Sequence, residues 1–386
     1  MGEGPSVAVA GVASTDHRAL HRARRDGTTF DAEALAASAY RDALADAGLS
    51  PAEVDGLIVG VTLEYERTAE VLGISPRWSG RELPGNAVIQ AALAIEAGLA
   101  ECVALVYATD QRSRRARYGG TGGAGAAANL VYRYYEPWGL TSQGALYALL
   151  ARRYLALRGL TEADLAQVAV GQRLHARLNP RAVLTEPLDV EGYLAAPYLA
   201  EPLRKADYCL VTDGAVALVL TTVERARARG RHPVVAVAGY ARAEDNAGST
   251  SMRPRLLDLY QGAQQRAAGA LWEMAGTGPD EVDCLQVYDS FSVHVPLALE
   301  GFGFCTPDRV GELLASGATH PGGRLPVNTS GGMLAESYLM GWNHQAEAVA
   351  QLRHAAGARQ VPGCRQAAYV SSSQGKVNAV LYRRLA

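Results

Sequence analysis

The sequence predicts an α/β protein built from two similar halves, and three observations carry that expectation. The first is an internal repeat: residues 43–59 read ALADAGLSPAEVDGLIV and residues 271–287 read LWEMAGTGPDEVDCLQV. Ala47, Gly48, Pro51, Glu53, Val54, Asp55, Leu57 and Val59 match Ala275, Gly276, Pro279, Glu281, Val282, Asp283, Leu285 and Val287 without a gap. The second is an apolar strand ahead of each copy, Ser6–Val12 and Val234–Tyr240. The third is a later pair of strands in the same order, from Cys102 and from Cys364, with Tyr107 and Tyr369 in register.

Each element has a local reason. The repeat reads as an amphipathic helix, a glycine stop, a proline-containing turn and a short apolar strand. The later strands each follow a helical stretch, 87–98 and 346–356. The strands are nearly unbroken apolar runs, as buried sheets require. Between residues 111 and 202 lies an insertion. It holds a Gly/Ala-rich loop (Gly119–Ala128), an aromatic cluster (Tyr132, Tyr134, Tyr135, Trp138) and a helix over Gln143–Arg158. A second helix starts at Thr161, where Thr-Glu-Ala-Asp forms a capping box. The expected division is an N-terminal half over 1–230, with the insertion inside it, and a C-terminal half over 231–386.

Bulk properties exclude several classes. A formal net charge of −2 argues against a long nucleic-acid footprint, which needs clustered basic charge. The cysteines, Cys102, Cys209, Cys284, Cys305 and Cys364, have no CxxC spacing, which suggests neither a disulfide framework nor a zinc site. The histidines are scattered, so no bound metal is expected. The N-terminus lacks a signal pattern, and no segment reaches the roughly 18 unbroken apolar residues of a membrane span. A cytoplasmic location is expected. Gly120–Gly125 satisfies GxGxxG, but Ser113–Arg117 before it is no strand, so a dinucleotide site is rejected.

Two segments of the second half carry the chemistry. Tyr288-Asp289-Ser290 follows an apolar strand, where α/β folds place their sites. Asn328-Thr329-Ser330-Gly331-Gly332 leads through Tyr338 to His344 and a helix. The paired glycines give a tight turn with close backbone approach. Free N–H groups there would stabilise an oxyanion.

These segments resemble those of the sterol-carrier-type thiolases. NTSGG with the later Tyr338 and Gly341 is similar to their NPSGG…GHP loop, and VYDSF to their HDCF segment. SVAVAGV, PAEVDGLIVG, GLAECVALV and PLRKADYCLVTDGAVALVL stand in the family's order, so the resemblance spans the chain. It implies the thiolase fold: two α/β halves in five layers, α-β-α-β-α, with an inserted loop domain. It implies an acyl-CoA substrate, coenzyme A being part of the substrate and no cofactor being bound. A homodimer is implied, and so is a small OB-fold, zinc-ribbon partner protein.

The departures from the family define the chemistry further. Where a thiolase presents its nucleophilic cysteine, this chain has Arg81-Glu82-Leu83-Pro84-Gly85-Asn86. Tyr338 replaces the histidine of the GHP loop, Tyr288 replaces that of HDCF, and Cys102 reads as core. Covalent acyl-enzyme chemistry thus loses nucleophile and base together. The tyrosine pattern resembles the thiolase-like aldolases of steroid side-chain degradation. These cleave a β-hydroxyacyl-CoA by a retro-aldol step to a ketone and a shorter acyl-CoA such as propionyl-CoA. The resemblance assigns Tyr288 and Tyr338 as acid and base, in either order. Asp289 and His344 would orient them, and backbone N–H groups near Gly332 or Gly375 would hold the thioester oxygen. Competing readings are a carbon–carbon bond-forming enzyme or acyltransferase of natural-product assembly, and a non-catalytic thiolase-like subunit.

Overall fold

A computed structural model describes residues 4–118, 134–245, 259, 261–373 and 375–386. The main sheet has nine strands. They are β1 (Val7–Ser14), β2 (Gly56–Gly60), β3 (Trp78–Glu82), β4 (Cys102–Asp110), β5 (Asp213–Thr222), β6 (Val235–Glu244), β7 (Cys284–Val287), β8 (Gln366–Ser373) and β9 (Lys376–Arg384). The helices that matter here are α1 (Ala32–Ala47), α2 (Pro84–Glu96), α3 (Gln143–Arg158), α4 (Glu162–Arg177), α5 (Gln261–Ala275), α6 (His294–Gly301) and α7 (Trp342–Leu352).

The strand order is β3-β2-β4-β5-β1-β6-β9-β8-β7. Going outward from the centre, β1-β5-β4-β2-β3 runs antiparallel, antiparallel, parallel, parallel. On the other side β6-β9-β8-β7 repeats the first three of those pairings, and a parallel bridge from Leu285 to Val327 stands in for the fourth. Among the described residues the two ladders pair through Ala8–Ala236 and Val9–Val235.

The repeated residues earn their identity locally. Gly48 and Gly276 take left-handed φ values of 65° and 60° after α1 and α5, a conformation that costs glycine little. Pro51–Glu53 and Pro279–Glu281 each form one 3-10 turn before β2 and β7. Asp55 accepts the Glu101 and Cys102 N–H groups at 2.9 and 2.8 Å. Asp283 accepts those of Arg365 and Gln366 at 2.7 and 2.8 Å. Each aspartate thus fastens the start of the neighbouring parallel strand.

Those bonds correct one sequence expectation. Gly56 pairs with Val103, and Cys284 pairs with Ala367. Because Gly56 and Cys284 are equivalent in the repeat, Val103 answers to Ala367. Tyr107 therefore answers to Ser371, two residues away from the expected Tyr369. A slip of two leaves every side chain on its own face of the strand, so hydrophobic patterning does not detect it.

Alternation along the strands builds five layers. Cys102, Ala104, Val106 and Ala108 of β4 pack outward with α1. Val103, Leu105 and Tyr107 pack inward with α2 and α7, which also cover the inner faces of β6, β8 and β9. Ala368 and Val370 of β8 and Leu285 of β7 face the opposite outer layer with α5 and α6. Helix α2 is buried on nearly all sides, as its run of Ala and Ile with little polarity anticipates.

The insertion supplies α3 and α4. Their Tyr147, Tyr154, Leu165 and Val168 pack into the core of the second half, not the first. Thr161 closes its capping box with Asp164 at 2.8 Å. The expected Gly/Ala-rich loop, Tyr132 and the rejected Gly120–Gly125 motif lie outside the described residues. Among the described residues no helix is long and apolar enough to cross a membrane.

Candidate active site

The NTSGG segment is welded to β7 by Asn328. Its side-chain amide pairs with the Val287 backbone in both directions, Oδ1 from N–H at 2.6 Å and Nδ2 to C=O at 3.0 Å. This brings the loop beside Tyr288 and Asp289. A five-residue π-helical turn follows, Gly332–Glu336. Gly331 has φ 103°, and a Cβ there would lie 2.6 Å from Ala176 of α4. Gly332 has φ 58°, and its Cβ would lie 2.2 Å from Asp289 Oδ2 and 2.7 Å from Gln172 Oε1. Both glycines are thus fixed by backbone conformation and by close approach.

Glu336 anchors the far end of the turn, accepting from Asn179, Ser330 and Asn343 at 3.0, 2.7 and 2.8 Å. The Tyr338 N–H donates to Thr212 Oγ1 at 3.0 Å. Gly341, φ 89°, brings the chain against Tyr369 and Tyr288, and its Cβ would lie 2.4 Å from the Tyr369 hydroxyl. Helix α7 then starts with Trp342, which stacks on Tyr107.

Of the residues expected at the site, five come together. Asp289 and His344 are fully buried, with His344 Nε2 at 2.9 Å from Asp289 Oδ1. The same oxygen accepts the Met333 N–H at 2.9 Å. Gly332 lies against Asp289. Tyr338 is a neighbour of Tyr288, and that neighbour partly offsets the effect of burial on the Tyr288 phenol. Burial lifts both phenols well above their ordinary value near 10, and each is lifted further by a neighbour, Tyr288 by Cys209 and Tyr338 by Tyr288. Gly375 sits elsewhere, at the β8–β9 hairpin, where its carbonyl accepts the Asp245 N–H at 2.9 Å. The Met333 N–H of the glycine turn is used by Asp289, so that donor is not offered to a substrate oxygen.

The position of the absent nucleophile has a steric counterpart. Gly85 opens α2 against the second half, and a Cβ there would lie 2.1 Å from Asn378 Oδ1 and 3.2 Å from Tyr369. Cys102 is fully buried in β4, and burial pushes its thiol up to about 12.

Three further residues belong to the site and escaped sequence reading. Cys209 is drawn in by its N–H bond to the Ser290 carbonyl at 3.0 Å, and burial followed by the Asp289 charge pushes its thiol up to about 12. Gln172 arrives from the insertion. His294, the first residue of α6, places Nδ1 at 3.0 Å from the Tyr288 carbonyl and stacks on the Tyr288 ring. A lone cysteine, glutamine or histidine carries no spacing signal; His294, six residues after Tyr288, was the one within reach.

Known proteins share this fold. The family described as "Thiolase C-terminal domain-like" matches residues 244–380. The chain belongs to the thiolase-like family. It is 36% identical over 341 residues to the 17-hydroxy-3-oxo-4-pregnene-20-carboxyl-CoA lyase of Mycobacterium tuberculosis, covering 83% of this chain and 86% of that one. It is 34% identical over 342 residues to a steroid side-chain-cleaving aldolase of Thermomonospora curvata, covering 83% and 85%. The solved Ltp2-ChsH2(DUF35) aldolase superposes with a TM-score of 0.87 at 30% identity over 98% of both chains. Human mitochondrial 3-ketoacyl-CoA thiolase, 14% identical with a TM-score of 0.69 over 99% of both chains, shares the fold. Among the described residues no group of His, Cys, Asp and Glu is placed to hold a metal ion.

Proposed function

We propose that this chain is a lyase that cleaves a β-hydroxyacyl-CoA by a retro-aldol step. The observation that carries the reading is the neighbouring pair of phenols, Tyr288 and Tyr338, where thiolases have histidines, together with a helix start at Gly85 that offers no nucleophile. Retro-aldol cleavage needs proton transfers and no covalent intermediate. The hydroxyl proton leaves as the C–C bond breaks, its electrons form the thioester enolate, and the α-carbon takes a proton. Tyr288 and Tyr338 serve these two transfers, while Asp289 and His344 hold the loop that presents them. Acyl transfer lacks the group it would need.

The related lyase names a suitable substrate. In 17-hydroxy-3-oxo-4-pregnene-20-carboxyl-CoA the 17-hydroxyl is β to the thioester, so cleavage gives a 17-ketosteroid and propionyl-CoA. Coenzyme A is then part of the substrate, and no bound cofactor takes part. The two halves, 1–230 and 231–386, frame the site, and the insertion over 111–202 walls it. The working unit is a cytoplasmic homodimer with a small OB-fold, zinc-ribbon partner; the two-protein name of the related aldolase supports the presence of a partner.

Incubating the protein, alone and with such a partner, with that CoA ester tests the reading by mass spectrometry. Propionyl-CoA and ketone released without free CoA are expected. Cleavage of 3-ketoacyl-CoA that depends on free CoA would overturn it.

A further inference from the structure

A group of guanidiniums without acid partners lies beside the site. The helix His17–Arg25 carries Arg24 and Arg25 in its last turn, where the carbonyl end of a helix attracts cations. That attraction does not account for Arg112, which arrives from the end of β4. Its neighbour Ser113 draws it in: Oγ accepts the Phe30 N–H at 2.9 Å, and the Ser113 N–H and Oγ donate to Asp213 at 2.9 and 2.8 Å. Burial lowers the Arg112 guanidinium, Asp213 pulls it back up, and Arg24 and Arg25 lower it again. Burial, then Arg112 and Arg25, push the His21 imidazole down to about 4, against a smaller pull from Asp213. The three arginines are thus close enough to oppose one another's charge.

Arg114, two residues after Arg112, pairs with Asp110 at 2.6 Å. Among the described residues none of Arg24, Arg25 and Arg112 has such a partner. Nε of Arg24 and Nε of Arg112 are shielded from solvent without a hydrogen bond, although both residues are partly exposed. Asp213, the carboxylate that acts on Arg112, already has both oxygens held by Ser113. Partly desolvated like charges with no counter-charge are unfavourable for the fold alone; a bound anion offsets that cost.

The cluster borders the phenols. Asp213 follows Thr212, whose Oγ1 accepts the Tyr338 N–H at 3.0 Å. In the other direction the chain runs from Arg112 to Tyr118, which is 50% exposed. Burial, then Tyr288, Cys209, Tyr107 and Tyr118, raise the Tyr338 phenol. Tyr118 is therefore both open to solvent and near Tyr338.

We propose that Arg24, Arg25 and Arg112 seat the phosphates of the substrate's coenzyme A, an assignment that rests on the reading of the substrate as a coenzyme A ester. Guanidinium forks match phosphate oxygens in pairs. The diphosphate and the ribose phosphate supply the negative charge that the cluster lacks, while the uncharged pantetheine arm carries the thioester in to Tyr288 and Tyr338.

The test compares the steroid ester of coenzyme A with the same acyl group on pantetheine, which has no phosphate. In the order Arg112→Lys, Arg112→Gln, Arg112→Glu, KM for the coenzyme A ester should climb, by about 10–100-fold at Gln, with the effect in KM more than in kcat. The pantetheine ester should show no such order. Arg24→Gln should repeat the pattern, and added salt should weaken use of the coenzyme A ester more in the wild type than in the variants. Equal changes with both esters, or no gradation with charge, would overturn the proposal. Calorimetric binding of free coenzyme A reads the same site without cleavage: it should weaken in the same order, and binding that is absent or indifferent to the charge at residue 112 would also overturn it. A wild type that binds coenzyme A, in a charge-dependent way across the series, yet cleaves neither ester would support the phosphate seat and remove the retro-aldol reading.

Discussion

The two central helices start at related places and do opposite things. Helix α2 opens with Pro84, Gly85 and Asn86, and Gly85 is so close to Asn378 that any side chain would collide. Helix α7 opens behind Gly341 with Trp342 and Asn343, and its third residue, His344, is locked to Asp289. One helix start has been emptied of chemistry and packed shut. The other orders a loop of phenols. The comparison teaches that losing a nucleophile here is not a vacancy: Asn378 and Tyr369 stand where a side chain at residue 85 would go.

The sharpest way to break this asymmetry is to remove the phenols. Tyr288→Phe and Tyr338→Phe should each lower turnover by about 10²–10⁴-fold with the fold intact, read as propionyl-CoA released from the steroid ester. Activity near normal in both would end the two-tyrosine account. The reverse experiment restores the thiolase residue type on the silent side. Gly85→Cys should destabilise the protein by about 1–3 kcal/mol through overpacking and yield no CoA-dependent cleavage of 3-ketoacyl-CoA. Adding Asn378→Ala should recover much of the loss in a denaturant titration if the collision is the cause.

Acid should act on buried imidazoles throughout the fold. Burial pushes His17 down to about 3, and His175 and His294 down to about 4. The unfolded chain protonates these groups near 6.5, while the folded chain resists until far lower pH. Their stabilisation is complete above about pH 6.5 and is lost as pH falls toward 4, each tenfold difference in proton affinity between the two states being worth about 1.4 kcal/mol. The carboxyls of Asp207 and Glu336, raised by burial, act with the opposite sign and offset part of the loss. Urea midpoints should be level near neutrality and fall steadily below pH 6.5; a flat profile down to pH 4.5 would contradict the buried, neutral assignment.

The smallest effects test the duplication itself. Asp55→Ala and Asp283→Ala each remove an acceptor for two backbone N–H groups and should cost about 1–3 kcal/mol by similar amounts. Cys102→Ser should leave turnover within a few-fold of normal, because Cys102 is buried in β4 facing α1.

Much of this was legible in the sequence. The repeat around Asp55 and Asp283 specified helix, glycine cap, turn and strand twice over, because each of those residues does a local job. Tyr288, Asp289, Gly332, Tyr338 and His344 were legible because they sit in two recognisable segments. The register of Tyr107 against Tyr369 was not, since a two-residue slip preserves strand faces. His294, Cys209 and Gln172 were not, since their roles depend on which surfaces meet in space. Gly375 was expected as a backbone donor to the thioester oxygen, and its position in the hairpin against Asp245 follows from the pairing of β8 with β9.

The path of the insertion has a consequence for how the chain is made. Helices α3 and α4 leave the first half but bury Tyr147, Tyr154 and Leu165 among residues beyond 259. Arg158 likewise ion-pairs with Glu300 at 2.7 Å, 142 residues further along. During synthesis these apolar faces leave the ribosome long before their partners exist. Such non-local closure slows folding and exposes sticky surface meanwhile. The nascent first half is thus the stage at which a chaperone, or heat, would weigh most on the yield of active protein.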